Sequence, residues 1–432
     1  MKNSNSLMLT VNPFFSIRNL AYRANFSIIY EYKKRLSHVE KQMPAIIAAA
    51  EAVAIRWVEK KHVLMHYPYS NNTSSFIREF VARAGGLDNA RVVKERAKIA
   101  SPDDVFICSV RSWEKDGFIL KDCEKSKQSG WLNIVFASKN GMPQQSVVDF
   151  LIDNGATTGD DSEAAVNNIV NITNGWIFTC ELVSALTRFS VRPGILKAMV
   201  LPGSTEYNKC YQRMDGLPML YPCDHFIKPG LLGKQYLNAM KNTINILIDK
   251  KNIIQIEKAS DIAVQRLRNG HDVWVSSFTH ALAGEVFYNN KSPIKPLDGV
   301  NCCENSALFR QNIKKQDLIF WFGEWTCNLP ARNYLDIIKS TGADYIASYR
   351  VGNEKTEDYG SKNNVFYAKA EDAVMIINQY WEFENVCVDI PFPPYKMAPV
   401  SGVYICLFYR MLDEKIAEKL SLVQPCRKSN NA

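Results

Sequence analysis

The chain has 432 residues, beyond the roughly 250–300 at which one hydrophobic core stops growing, so two or three domains are expected. Hydrophobic residues make up 47% and charged residues 22%, with 21 Gly and 18 Pro, which excludes collagen-like and largely disordered chains. Lys and Arg number 52 against 44 Asp and Glu; the resulting +8 is mild and interleaved with acids, as in Val93-Lys-Glu-Arg-Ala-Lys98, so no nucleic-acid partner is expected.

Residues 1–29 read as an N-terminal arm with one basic residue near the start and no apolar core long enough for a signal peptide. No later run approaches about 18 uncharged apolar residues, so no membrane partner and a cytoplasmic location are expected. The 11 cysteines are odd in number and sit mostly as singles in apolar runs such as Phe106-Ile-Cys108-Ser and Val403-Tyr-Ile-Cys406-Leu, as buried reduced thiols do. The one adjacent pair is Cys302-Cys303, and no CxxC pair or His-rich tract offers zinc spacing, so no metal is expected.

From residue 44 to 60, Ile46, Ile47, Ala50, Val53, Ala54, Trp57 and Val58 form one helical stripe. A strand, His62-Val-Leu-Met-His66, a loop, Tyr67-Pro-Tyr-Ser-Asn-Asn72, and a second amphipathic helix beginning Thr73-Ser-Ser-Phe-Ile-Arg-Glu79 follow. Further on come an apolar strand with an acidic start, Asp104 to Trp113, another strand, Ile134 to Ser138, and a mostly apolar helix, Asn174 to Leu186, opened by Asn174 and Gly175. The stretch 191–249 is rich in Pro and Gly, yet its Tyr207, Tyr211, Tyr221 and Phe226 predict a connection packed across both domains rather than a free tether.

The same order then recurs. A helix carrying Ile256, Ala259, Ala263 and Leu267 closes at Asn269-Gly270, and a strand, His271 to Val275, leads through Ser276-Ser-Phe278 into the helix Thr279-His-Ala-Leu-Ala-Gly-Glu285-Val-Phe-Tyr288. Thr73 to Glu79 and Thr279 to Glu285 have the same spacing. Asp317 to Trp325 matches the Asp104 strand, Tyr345 to Ser348 matches Ile134 to Ser138, and Ser401-Gly-Val-Tyr to Leu412 matches the helix at Asn174. Four anchors in one order point to an internal repeat. Strands alternating with helices indicate parallel βαβ units, giving α/β domains at 30–190 and 250–420, a connecting segment at 191–249 and a tail at 421–432.

Glu79-Phe-Val-Ala-Arg-Ala-Gly-Gly86 behind a Ser/Thr-rich helix start, together with Thr279 to Tyr288, resembles the first βα crossover of the SIS (sugar isomerase) phosphosugar-binding family. The resemblance runs through the Asp104 and Asp317 strands to the closing helices. It implies two tandem flavodoxin-like (SIS-type) three-layer domains, each with a parallel sheet of about five strands and a ligand beyond the strands' carboxyl ends. It further implies that a sugar phosphate is held by hydroxyl-rich loops after the first and second strands, beside a helix N-terminus whose amides and dipole favour an anion. The residues so nominated are Ser70, Thr73, Ser74 and Ser75, then Ser109, Arg111 and Ser112, and in the second copy Ser276, Ser277 and Thr279. The second copy's other loop reads Gly323-Glu324-Trp325-Thr326, and Glu324 would repel a phosphate; if only one copy keeps the anion site, the first is expected to, with Arg111 either adding a charge-assisted contact or standing as an exposed charge. Thr73 and Thr279 would serve equally as plain helix caps.

Aldose–ketose isomerisation needs a base to carry a proton between adjacent carbons and an acid to open the ring. Glu79 and Glu285 match the position where some SIS isomerases carry a catalytic glutamate; the alternative for a mid-helix Glu79 is solvent exposure or pairing with Arg78 or Arg83. His280 follows the cap and could donate to a ring oxygen; His66 ends a strand near a mouth or is core packing. Neither closing helix holds a His, and a Gly-rich first loop is absent, departures that weigh against isomerase activity. The resemblance thus implies a sugar-phosphate or amino-sugar-phosphate isomerase, with a non-catalytic sugar-phosphate sensor as the alternative. A nucleotide-sugar transferase or two-lobed binding protein is the reading from another class. The expected partner is a small-molecule sugar phosphate, with a homodimer by analogy. Neither GxGxxG followed by an acid nor GxxxxGK[ST] occurs, and no cofactor is expected.

Overall fold

A computed structural model describes residues 26–61, 63–68, 75–92, 101–143, 146–198, 201–211, 219–277, 280–288, 291–297, 311–325, 337–351, 372–382 and 384–422. The first helix, α1, runs Ser27–Lys60 and starts well upstream of the stripe read from residue 44. Pro44 is a favoured residue for the first turn of a helix, yet here it lies inside one. Burial of Ile28, Tyr32, Leu36 and Val39 before it and of Ile46, Val53 and Trp57 after it keeps the helix continuous across the missing amide.

The first sheet has strands β1 (Met65–Tyr67), β2 (Ala90–Val92), β3 (Val105–Ser109), β4 (Leu132–Ala137) and β5 (Phe150–Asp153), in the order β2-β1-β3-β4-β5 with every pair parallel. Its helices are α2 (Ser75–Phe80), α3 (Trp113–Asp116), α4 (Ile119–Gln128) and α5 (Ala164–Thr187). An antiparallel pair, β6 (Val191–Pro193) and β7 (Leu220–Pro222), flanks α6 (Ser204–Lys209) and precedes α7 (Leu231–Leu247).

After α8 (Lys250–Arg268), the second sheet contains β8 (Val273–Ser277), β9 (Lys295–Leu297), β10 (Leu318–Trp325), β11 (Asp344–Arg350) and β12 (Met375–Asn378), with α9 (His280–Tyr288) following β8. Its order is β9-β8-β10-β11-β12, again all parallel. An antiparallel hairpin, β13 (Val386–Asp389) with β14 (Lys396–Pro399), leads into the last helix, α10 (Ser401–Ser421). Numbered within its own half, each sheet reads 2-1-3-4-5, the flavodoxin-like order, and the topological switch point, where the strand order reverses, falls between its first and third strands.

Alternation along the strands makes three layers. On β3 and β4, Ile107, Ile134 and Phe136 face one large core shared with α1, α5, α7, α8 and α10, while Phe106, Cys108, Val135 and Ala137 face α4 through Leu120 and Cys123. On β10 and β11, Phe320, Phe322 and Ile346 join that same shared core, and Ile319, Trp321, Tyr345 and Ala347 face away. The two domains are therefore joined through their inner faces.

The acidic starts of the two matching strands have one physical cause. Asp104 accepts from the Leu64 amide (3.0 Å), the Ser101 amide (2.9 Å) and His66 Nε2 (2.7 Å). Asp317 accepts from the Asp272 amide (3.0 Å), the Lys314 amide (2.9 Å) and Trp274 Nε1 (3.1 Å). Each aspartate brackets the amino ends of two neighbouring strands.

Two expectations are corrected. The first closing helix does not open at Asn174-Gly175: α5 begins at Ala164, because Asn167 and Asn171 spend their side chains on carbonyls at the end of the β3 strand instead of breaking the helix. The segment Asp161–Thr187 is also long and apolar enough to cross a membrane, contrary to the sequence reading, but its most apolar window is entirely buried in the protein, as a core helix is. In the 191–249 stretch, α7 packs on α1, α5 and the β13 strand, and its first turn is capped from outside: Glu181 of α5 accepts from the Gly230 and Gly233 amides, both at 2.8 Å. Among the described residues the cysteines are free, and all but Cys210 are buried or half-buried.

Candidate functional site

The loops flanking the switch point of the first sheet leave β1 toward α2 and β3 toward α3. Ser75 is the first residue of α2; it is fully buried and its Oγ has no hydrogen-bond partner. Ser109 ends β3 and is half-buried. Ser112 precedes α3, is buried, and makes no cap hydrogen bond, so its Oγ is partnerless too. Ser70, Thr73, Ser74 and Thr279 lie outside the described residues, as do the side chains of Ser277 and His280. Ser276 is buried on β8 with an unpartnered Oγ.

Arg111 is largely engaged by protein. Its amide donates to Asp116 (3.0 Å), its Nε lies 3.5 Å from the same carboxylate, and its guanidinium stacks 3.4 Å from the centroid of Tyr288 in the other domain. Such a stacked cation is a contact between domains first and an anion donor second; only Nη1 is buried without a partner.

Glu79 lies on α2 at 0% exposure. Trp176 Nε1 of α5 donates to its Oε1 at 3.1 Å, Arg83 Nε is 3.6 Å away, and Oε2 has no partner. A side chain at position 402 would fall on this carboxylate, so Gly402 is what lets the first turn of α10 approach it. Burial pushes the Glu79 carboxyl up to about 7, against the opposing pull of Arg83 and the Trp176 hydrogen bond and with a further push from Glu324.

Arg83 reaches across the domain boundary. Its Nη2 donates to Ser401 Oγ (2.6 Å) and lies 2.9 Å from Glu324 Oε1. Ser401 in turn donates to Glu324 (3.1 Å) and accepts from Asn385 Nδ2 (2.7 Å). The acid at the end of the β10 strand thus fills its own crevice with a cross-domain ion pair. Glu285, on α9, is equally buried: Asn168 Nδ2 of α5 donates to it at 2.6 Å, and Arg410 Nε (2.7 Å) and Nη2 hold the other oxygen. Both glutamates therefore pack at the junction of the two domains.

His66 is corrected. It lies in the middle of β1, 1% exposed, bonded to Asp104 at the amino edge of the sheet and stacked on Trp131 at 4.3 Å, so it is away from the carboxyl-end mouth. Sequence reasoning missed Trp176 and the asparagines of α5. The signal was present: Asn167, Asn168, Asn171 and Asn174 recur at helical spacing in an uncharged stretch, where buried amides need specified partners.

No family model and no curated protein matches the chain. Solved structures do. The C-terminal domain of glucosamine-fructose-6-phosphate aminotransferase from Francisella tularensis superposes with a TM-score of 0.50 at 12% identity, covering 93% of this chain and 97% of that one. A protein from Silicibacter pomeroyi, provisionally assigned as a phosphosugar isomerase, gives a TM-score of 0.50 at 10% identity, covering 92% and 98%. At these identities the likeness is one of fold. The chain has the SIS-type fold, two flavodoxin-like parallel-sheet domains in tandem.

Proposed function

We propose that the protein binds a sugar phosphate in the crevice at the switch point of its first sheet. The observation that carries this reading is the pair of buried, partnerless hydroxyls, Ser75 at the start of α2 and Ser112 just before α3, on the segments that flank that point. Buried hydroxyls without partners are costly, and a phosphate or sugar oxygen supplies the acceptor they lack. The names of the similar structures support the same ligand class. The common strand order and the common aspartate bracket support an internal duplication, in which the second crevice has been closed by Glu324, Arg83 and Ser401. A cytosolic setting suits both this ligand and the free thiols.

One observation favours catalysis as a second reading: Glu79 titrates near neutrality and keeps one oxygen unbonded, as a proton shuttle requires. Against it, Glu79 is sealed by Trp176, Arg83 and Gly402, and Glu285 is locked by Arg410, so binding without proton transfer is the better-supported role. The test is a thermal shift with glucosamine 6-phosphate and fructose 6-phosphate. Ligand at 100 times Kd adds about 2.7 kcal/mol of stability. Ser112→Ala and Ser75→Ala should each reduce the shift, and a wild type without any shift refutes the proposal. Proton exchange at C2 in deuterated water, lost in Glu79→Gln, would establish the isomerase; its absence leaves the binding role.

A further inference from the structure

We infer that Asn174 lies beneath the first-domain crevice and reads a sugar hydroxyl there; this rests on the sugar-phosphate reading above. Asn174 is 0% exposed, and neither its Oδ1 nor its Nδ2 has a hydrogen-bond partner. A side-chain amide carries two donors and an acceptor with two lone pairs, so a fully buried and fully unpaired one is a larger anomaly than an orphan hydroxyl. Such a group persists where it serves something other than the packing of the free protein.

Its position follows from helical spacing. Asn167, Asn171, Asn174 and Phe178 lie on one stripe of α5. Asn167 donates to the Arg111 carbonyl (2.8 Å), Asn171 donates to the Val110 carbonyl (2.9 Å), and the Phe178 ring is 6.1 Å from that of Phe136 on β4. Asn174 lies between the last two, under the carboxyl ends of β3 and β4. The adjoining Gly175 lies against Phe76 and Phe80 of α2. Asn174 is thus placed between the loop leaving the β3 strand and the start of α2, the two segments that flank the switch point.

An amide donates and accepts at once, which matches a neutral hydroxyl of a hexose phosphate, whereas a phosphate dianion can use only the amide's N–H donors and leaves its carbonyl unmatched.

The experiment measures binding of glucosamine 6-phosphate, fructose 6-phosphate and inorganic phosphate to wild type, Asn174→Leu and Asn174→Ser by calorimetry, with thermal midpoints of the free proteins. In Asn174→Leu the free protein should melt at or above the wild-type midpoint, because an unpaired amide has been replaced by an apolar side chain of similar size. Its affinity for the hexose phosphate should fall at least about tenfold, with inorganic phosphate unchanged. Wild type itself should bind at least one monodeoxy hexose 6-phosphate about tenfold more weakly than its parent. Unchanged hexose-phosphate affinity in both variants, or equal affinity for every deoxy analogue, overturns the role of Asn174 while leaving the sugar-phosphate reading intact. No binding of any sugar phosphate to wild type overturns that reading and this inference with it.

Discussion

Substituting Glu79 by Gln removes a titration without removing a side chain. The Glu79 carboxyl is raised from 4.5 to about 7 in the folded protein, chiefly by burial, which corresponds to about 3 kcal/mol of preference for its protonated form. Because the folded value lies above the unfolded one, the folded state holds the extra proton. The contribution is therefore complete below pH 4.5 and is lost as pH rises through 7. Gln imitates the protonated acid and keeps the acceptor for Trp176, so the variant should lack this loss. An unfolding entropy of roughly 2.1 cal/mol/K per residue gives about 0.9 kcal/mol/K for a chain of 432 residues, so 3 kcal/mol corresponds to about 3 °C in Tm. Thermal midpoints of both proteins from pH 5 to pH 8.5 test this, since titrations common to both cancel in the difference. Glu79→Gln should gain about 3 °C over wild type across that range, and parallel profiles would refute the account of Glu79 as a sealed, proton-holding carboxyl.

Asp104→Ala should cost about 3 kcal/mol or more in a urea melt, since it orphans the Leu64 and Ser101 amides and His66 together; Asp317→Ala should behave alike, and a cost under about 1 kcal/mol in either would remove the bracket from the stability argument. Gly402→Ala should destabilise by about 1–3 kcal/mol because the new methyl falls on the Glu79 carboxylate, and Glu79→Ala in the same chain should recover most of it; simple additivity of the two changes would count against that contact. Glu181→Ala removes the external cap of α7, so amide exchange at Gly230 and Gly233 should quicken and stability should fall by about 2 kcal/mol, whereas unchanged exchange would mean that water caps the helix equally well.

Much of the architecture was legible because period and order survive in the side chains. Val105 to Ser109 and Leu318 to Trp325 read as strands from their apolar runs, and the aspartate ahead of each stood out in the sequence before its bracketing role was visible. Glu79 and Glu285 stood out at matched spacing. Their surroundings did not, because Trp176 lies 97 residues beyond Glu79 and Arg410 lies 125 beyond Glu285. The helix break read at Asn174-Gly175 was the opposite kind of error. Asparagine and glycine disfavour helix interiors locally, but carbonyls at the end of β3 and the rings of Phe76 and Phe80 supply what those residues need.

The sequence by itself determined what depends on neighbours along the chain: which segments are strands or helices, that they alternate, and that hydroxyls follow the His62 and Asp104 strands of the first half. Only the tertiary structure decided which of those groups are already spent. Glu324, Arg111 and Ser401 are consumed by partners from the other domain, while Ser75, Ser112 and Asn174 are left buried without any. A polar side chain's availability is a matter of what lies within hydrogen-bond reach in space, and separations of a hundred residues or more leave no trace of that in local pattern.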